Sequence, residues 1–235
     1  VEGKISGKEI VIGNRTLMKE KKISFKTFEE IINIFENEGK TTMIVAEKKK
    51  VIGVIAVADA IKEDSIEALN ILNKEGYRTV MITGDNERTA KAIAKQVGIK
   101  EIIANILPED KAKKVEELQE QGMVAFVGDG INDAPALKQA NVGIAMGSGT
   151  DIAIEAGDLV LAKSSLIGVI QAMKLSKATF RKIKQNLFWA FAYNVIAIPL
   201  AVAGLLHPVI AEIAMALSSI TVVTNANLLR KIDIS

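Results

Sequence analysis

Two uncharged runs near the carboxyl end limit this chain more than any other feature. Between Lys184 and Arg230 lie 45 residues with a single formal charge, Glu212. Asn186–Leu206 is an uncharged stretch of 21 residues, and Val209–Leu229 is a second of equal length, broken only by Glu212. A helix needs about 20 apolar residues to cross a ~30 Å hydrocarbon core, so each run is long enough to span one. The joint between them, Gly204-Leu205-Leu206-His207-Pro208, has the chemistry of a tight reversal. Six basic residues and no acid run from Lys163 to Lys184 (Lys163, Lys174, Lys177, Arg181, Lys182, Lys184), and Arg230-Lys231 follow the second run. Basic flanks mark the cytoplasmic side of a span. The expectation is therefore a hairpin in lipid, in the cell membrane, with both ends in the cytoplasm and His207 and Glu212 near the outer surface.

The remainder has a different composition. Residues 1–162 hold 22 basic and 26 acidic side chains and residues 163–235 hold 8 and 2, so a net charge of +2 conceals −4 in the head and +6 in the tail. No nucleic-acid partner is expected. The chain has no Cys, which excludes a disulfide framework or a Cys-based metal site within it. It opens Val1-Glu2-Gly3-Lys4, with neither an initiator Met nor a signal peptide, and is read as a piece of a longer protein.

The head divides near Ala58-Asp59. Before that point Glu9–Ile12, Thr42–Ala46 and Val51–Val57 are β-rich, and Thr27–Asn37 has helical spacing of Phe28, Ile31, Ile32 and Phe35, with Gly39 as a stop. After it, helices are predicted over Ser65–Lys74, Glu87–Gln96, Glu109–Gln121 and Ala134–Gln139. Strands are predicted over Thr79–Ile82, Met123–Val127, Val142–Ala145 and Leu159–Leu161. Alternating β and α segments imply an α/β fold with a mostly parallel sheet, whose ligands sit at the carboxyl ends of the strands.

The unusual residues fall there. Thr83-Gly84-Asp85-Asn86 follows one predicted strand, and Gly128-Asp129-Gly130-Ile131-Asn132-Asp133 follows another. Gly-rich turns expose backbone N–H groups to an anion. Asp129, Asn132 and Asp133 offer oxygen ligands suited to Mg²⁺, which uses few carboxylates and keeps several waters. Between the two turns Pro108-Glu109 opens a helix with Lys111 in its first turn, positioned to meet a phosphoryl group or to pair with the carboxylates.

TGDN, LPEDK, VGDGINDAPAL and GIAMGSGTDIAIEAGD resemble the phosphorylation domain of P-type ATPases, a haloacid-dehalogenase-like fold. In that family the Asp of an upstream DKTGT motif takes the γ-phosphoryl of ATP. The resemblance implies ATP and Mg²⁺ as cofactors. It assigns Asp129 to Mg²⁺, Thr83 and Lys111 to the phosphoryl group, Gly84 and Asp85 to the nucleotide, and Asn132 and Asp133 to support of ion and phosphate. Charge neutralisation and positioning of this kind are what phosphoryl transfer needs. DKTGT itself occurs nowhere in the 235 residues. The opening segment resembles the second half of a metal-pump nucleotide-binding domain, in which a Gly-Asn pair, here Gly13-Asn14, lines the adenine pocket.

The apolar runs carry polar groups with a pattern. Tyr193 and Asn194 are adjacent, Asn186 lies two turns before Tyr193, and Pro199 follows. Met215 and Ser219, four apart, share a helix face, with Ser218 beside them. A thioether among phenol, carboxamide and hydroxyl ligands suits Cu⁺, and no Asp, Lys or His lies at mid-membrane depth. The same spacing resembles the last two membrane helices of the Cu⁺-transporting heavy-metal P-type ATPases, which implies Cu⁺ sites at Tyr193, Asn194, Met215 and Ser219. A copper chaperone would deliver the ion. The Cys-Pro-Cys helix, the actuator domain and the earlier spans would lie upstream.

The resulting division is a partial nucleotide-binding domain over 1–57, a phosphorylation domain lacking its DKTGT strand over 58–164, a basic connecting helix over 165–185, membrane helices over 186–206 and 209–229, and a tail over 230–235. Two alternatives stand beside the copper pump: a membrane-tethered phosphatase of haloacid-dehalogenase type, and a non-catalytic nucleotide- and Mg²⁺-binding fragment.

Overall fold

The structure is a computed structural model that describes residues 1–5, 7–58, 60–147 and 151–234. Two compact units are present, Val1–Ile167 and Gly168–Ser235.

The first unit begins with an antiparallel sheet of four strands in sequence order: β1 (Glu2–Ile5), β2 (Lys8–Gly13), β3 (Thr41–Glu47) and β4 (Lys50–Val57). Alternation along β3 buries Thr42, Ile44 and Ala46 on one face, as expected when one side of a sheet is covered. The cover is α1 (Arg15–Glu20) and α2 (Glu29–Asn37), and the core beneath them holds Val11, Met18, Ile23, Ile32, Ile44, Ala46 and Val51. The predicted helix over Thr27–Asn37 is a 3-10 turn at Lys26–Phe28 followed by α2. Ile31, assigned by spacing to the inner face, is exposed, and the inward position one turn beyond Ile32 is taken by Glu36. β1 and α1 were not anticipated, because a four-residue strand with every residue exposed and a six-residue helix carry too little periodicity.

Glu36 is only 2% exposed. Its carboxylate accepts from Arg15 (3.2 Å to each oxygen), from the Thr42 hydroxyl (3.2 Å) and from Arg88 (3.5 Å). Arg15 also reaches Glu29 (2.8 Å) and Asn33 (2.6 Å). Burial opposes the guanidinium charge, but the hydrogen bonds to Glu36 and Glu29 outweigh it and raise the Arg15 pKa.

The α/β part follows with α3 (Glu63–Lys74), β5 (Val80–Ile82), α4 (Glu87–Val97), β6 (Glu101–Ile103), α5 (Lys111–Gln119), β7 (Ala125–Gly128), α6 (Ala134–Gln139), β8 (Val142–Met146), α7 (Asp151–Ala156) and β9 (Leu159–Leu161). All pairings among these strands are parallel, as expected, but they fall into two groups, β5-β6 and β7-β8-β9. The predicted helix over Glu109–Gln121 starts as a 3-10 turn at Pro108–Asp110 and ends at Gln119. β6 and α7 were not anticipated, since each is short and lacks a strong period. The Ala58-Asp59 boundary and the Gly147–Asp151 part of the quoted motif run into residues outside the described set, Asp59 and Ser148–Thr150.

Small residues bring the layers together here. Ala134, Leu137, Ala145, Ala153 and Ala156 form the core between β8, α6 and α7. A Cβ on Gly143 would lie 2.4 Å from the Leu137 carbonyl oxygen, so α6 rests directly on the β8 backbone.

In the second unit, α8 (Ile167–Val202) is one continuous helix of 36 residues. It absorbs both the expected connecting helix of 165–185 and the first apolar run, because no residue between them breaks a helix. It stops at Val202, four residues before the end of the uncharged run. Pro199 lies inside its last turn, where it withholds one N–H from the ladder, and Gly204, at φ +70°, closes the helix: its N–H reaches Ala201 O (3.0 Å) and that of Leu205 reaches Leu200 O (2.9 Å). α9 (Pro208–Asn227) starts with Pro208 at its first position, and His207 caps it through Nδ1, which accepts from the Val209 N–H (3.3 Å). Both helices are long and apolar enough to cross a membrane.

The buried carboxylate of Glu36 yields a stability test. Arg15→Ala should lower the unfolding free energy of the chain by about 2–3 kcal/mol, since it strips the main partner from a buried charge while Thr42 and Arg88 remain. Urea titration followed by circular dichroism measures this. Lys91→Ala, which removes an exposed i,i+4 partner of Glu87, should leave the midpoint unchanged.

Candidate functional site

Both Asp-bearing turns stand at carboxyl ends of parallel strands. After β7 the chain turns sharply so that Asp133 folds back under Gly128. The Asp133 residue is 9% exposed, and its Oδ1 accepts from Lys111 Nζ at 2.6 Å. Its Oδ2 lies 3.4 Å from the N–H groups of both Asp129 and Gly130. A Cβ on Gly128 would sit 2.7 Å from the Asp133 Cβ and 2.9 Å from Oδ2, so only glycine lets this carboxylate close on the strand end. Lys111, at the start of α5, and Asp133 are thus brought together as an ion pair, one of the two roles its position allowed.

Asp129 and Asn132 are exposed on the outer side of the same turn. No hydrogen bond among the described residues engages the Asp129 carboxylate, and no group of three His, Cys, Asp or Glu side chains gathers there. One unengaged carboxylate beside a carboxamide fits Mg²⁺, which completes its shell with water and phosphate oxygens. It would not suit a cation that needs an all-protein cage.

The other turn is clamped from several sides. Thr83 Oγ1 donates to Asp85 Oδ2 and accepts from the Asp85 N–H, each at 3.1 Å. The Thr83 N–H reaches Ile103 O (3.0 Å), and the Ile106 N–H reaches Thr83 O (3.1 Å). A Cβ on Gly84 would press to 3.3 Å from Ile106 O. Asp85 Oδ1 accepts from the hydroxyl of Thr41, at the start of β3, at 2.8 Å. Asn86 caps α4 by accepting from Arg88 N (3.0 Å) and Thr89 N (3.1 Å), and the buried Thr89 donates to Lys40 O (3.0 Å). Asp85 therefore ties the antiparallel sheet to the TGD turn. Thr41, Arg15 and Glu36 were missed as members of this junction because nothing in a linear sequence marks a partner 44 residues away.

Gly13 and Asn14 have local tasks. Asn14 caps α1 through Oδ1, which accepts from Leu17 N at 3.0 Å, and a Cβ on Gly13 would strike Leu17 Cδ2 at 2.3 Å.

Between the two strand groups lies a vacancy of about 440 Å³. Met81 of β5 and Val127 of β7 flank it, Leu69, Ile93 and Val97 line its apolar wall, and Asp129 and Asp133 stand at its polar end. β5 and β7 are both outer strands of their groups.

In the second unit, Asn225 of α9 bridges two residues of α8. It accepts from Lys182 Nζ (2.8 Å) and donates to Asn186 Oδ1 (2.7 Å). Tyr193, two turns beyond Asn186, is on that same α8 face and half-buried, with its ring 6.4 Å from Trp189. Asn194 points elsewhere and donates to Ala190 O (2.9 Å). Met215 is 70% exposed, and Ser219 donates back to Met215 O at 3.3 Å. The four residues do not close into one site within this helix pair, because Met215 and Ser219 lie on an open face.

The chain matches a model of haloacid dehalogenase-like hydrolases over residues 2–141. It is 50% identical over its full length to a copper-exporting P-type ATPase of Staphylococcus saprophyticus, of which it covers 30%, and 50% identical over 98% of its length to one of Staphylococcus aureus strain MW2, of which it covers 29%. It thus spans about 30% of the length of these relatives. Among solved structures, a zinc-transporting PIB-type ATPase in its E2.Pi state superposes with a TM-score of 0.75 at 38% identity, covering 97% of this chain and 37% of the other. With the parallel strands, the two Asp-bearing turns and the family match all in agreement, the chain belongs to the haloacid dehalogenase-like hydrolases and aligns from end to end with P-type ATPases.

Proposed function

We propose that the chain is the carboxyl-terminal part of an ATP-driven copper-exporting pump that works through an aspartyl-phosphate, with the phosphorylated Asp on a segment outside this sequence. The observation that carries this reading is the vacancy between β5 and β7. Met81 and Val127, on two outer strands, flank it, apolar side chains line one wall, and Asp129 and Asp133 stand at its polar end, so its lining suits a segment that ends in a carboxylate beside the two turns. No DKTGT occurs in the chain to fill it.

In this reading Asp129 would hold Mg²⁺, with Asn132 beside it and Asp133 acting indirectly. Bound Mg²⁺ would neutralise charge on the transferring phosphoryl group. Lys111 supplies positive charge at the same strand ends, and Asp133 fixes its direction. Thr83 offers its hydroxyl to the phosphoryl group, and Gly84, Asp85, Gly13 and Asn14 border the nucleotide. Cu⁺ is cargo. Tyr193, Asn194, Met215 and Ser219 would supply its ligands once helices outside this chain complete the site, and the open face of Met215 and Ser219 supports that need. The thioether favours a soft monovalent ion over Zn²⁺. The basic flanks of α8 and α9 support a cytoplasmic head, and an upstream actuator domain and a copper chaperone follow as partners.

Three outcomes are expected. Incubated with labelled ATP, the 235-residue chain should form no hydroxylamine-labile phosphoprotein, whereas a protein that also carries the upstream segment should; labelling of the chain alone sinks the assignment. In that longer protein Asp129→Asn should cut phosphorylation by about 100-fold or more, and Gly128→Ala, which displaces Asp133, should cut it by about tenfold or more. Met215→Ala should abolish stimulation of turnover by Cu⁺ without lowering nucleotide affinity; unchanged Cu⁺ activation with equal stimulation by Zn²⁺ refutes the cargo.

A further inference from the structure

α8 carries two faces with different chemistry. Lys182, Asn186 and Tyr193 lie on the side that Asn225 joins to α9. With each residue turning by about 100°, Arg181 and Lys184 fall on the other side, three apart and therefore neighbours. Both are exposed. Lys184 Nζ lies 4.6 Å from the Phe180 ring centroid, which holds its ammonium along the helix surface. Two turns further on, the same side carries Phe188 and Phe191, 64% and 60% exposed. One helix face thus changes from two cations to two bare aromatic rings within about 15 Å.

That change sits at a defined depth. Lys184 is two residues and Arg181 five residues outside the uncharged run that begins at Asn186, or about 3 and 8 Å along a helix. The headgroup layer occupies about 5–7 Å on each side of the hydrocarbon core, so Lys184 stands within it and Arg181 at its outer edge, with side chains long enough to flank one phosphate, while the rings lie among acyl chains. Arginine and lysine together meet a phosphodiester with a planar fork and a point charge.

We propose that Arg181 and Lys184 form a binding site for one anionic glycerophospholipid on the cytoplasmic leaflet, its phosphate between the two cations and its acyl chains along Phe188 and Phe191. The site rests on the membrane reading of α8 given above. Anionic lipid bound there would pin the membrane depth of α8, and with it the depth of Tyr193 on the same helix.

Trp189 is the sole tryptophan of the chain, and its ring is 5.4 Å from that of Phe188, so it reports on lipid at the site. The chain is reconstituted in phosphatidylcholine vesicles containing either dibrominated phosphatidylglycerol or dibrominated phosphatidylcholine at equal mole fraction. Brominated phosphatidylglycerol should be enriched about fivefold or more around Trp189 by quenching. Arg181→Gln with Lys184→Gln should bring the enrichment to about one without changing quenching by phosphatidylcholine. Arg230→Gln with Lys231→Gln, an equal loss of charge on α9, should preserve it. Inorganic phosphate at matched ionic strength should leave it intact. Equal quenching by the two lipids in the unmodified chain, an equal loss in the α9 variant, or displacement by phosphate would overturn the headgroup site while leaving the span in place. Absence of quenching by either lipid would overturn the membrane reading itself.

Discussion

Much of the candidate site hangs on one buried carboxylate. Asp133 draws Lys111 to 2.6 Å and holds two backbone N–H groups of its own turn. An aspartate so little exposed would be costly without such partners. With them it fixes three things at once: the shape of the turn after β7, the direction of Lys111 from α5, and the outward placement of Asp129. Gly128 is the steric condition for the arrangement, since any side chain there would occupy the space of the carboxylate. Asp129 is left unengaged because Asp133 satisfies the turn.

A second buried carboxylate does comparable work between the two halves of the head. Glu36 collects Arg15, Thr42 and Arg88, and the Thr41 hydroxyl meets Asp85 nearby. The antiparallel sheet with its helices and the TGD turn with α4 are thus coupled through hydrogen bonds between neutral hydroxyls, carboxylates and guanidinium groups. Such a junction is directional, because each hydrogen bond fixes the orientation of its donor and acceptor. Arg78 and Glu101 form a contrasting pair on the surface: the Arg78 hydrogen bond lowers the Glu101 pKa, yet both groups are exposed and the pair is screened by water.

The helix pair follows a different rule. In an apolar solvent, helices meet through small residues and amides, and here the bridging groups are Lys182, Asn186 and Asn225 near one end. That choice of face turns Tyr193 towards α9 and leaves Met215, Ser219, Arg181, Lys184, Phe188 and Phe191 outward. The outward residues are the ones with unspent chemistry: sulfur and hydroxyl in the apolar part, cations at its edge.

The linear sequence was sufficient for the two apolar helices, for the parallel α/β character and for both Asp-bearing turns, because length, period and Gly-Asp spacing are local properties. Asp129, Asp133, Lys111 and Thr83 were singled out by that route. Only the tertiary structure decided that Lys111 meets Asp133, that Asp85 reaches Thr41, and that α8 runs unbroken from the basic segment to Val202. Each of these depends on backbone positions far apart in the chain or on the absence of a breaker, and period and spacing cannot report either. The vacancy between β5 and β7 belongs to the same class. The space between two strand edges exists only once the strands are placed.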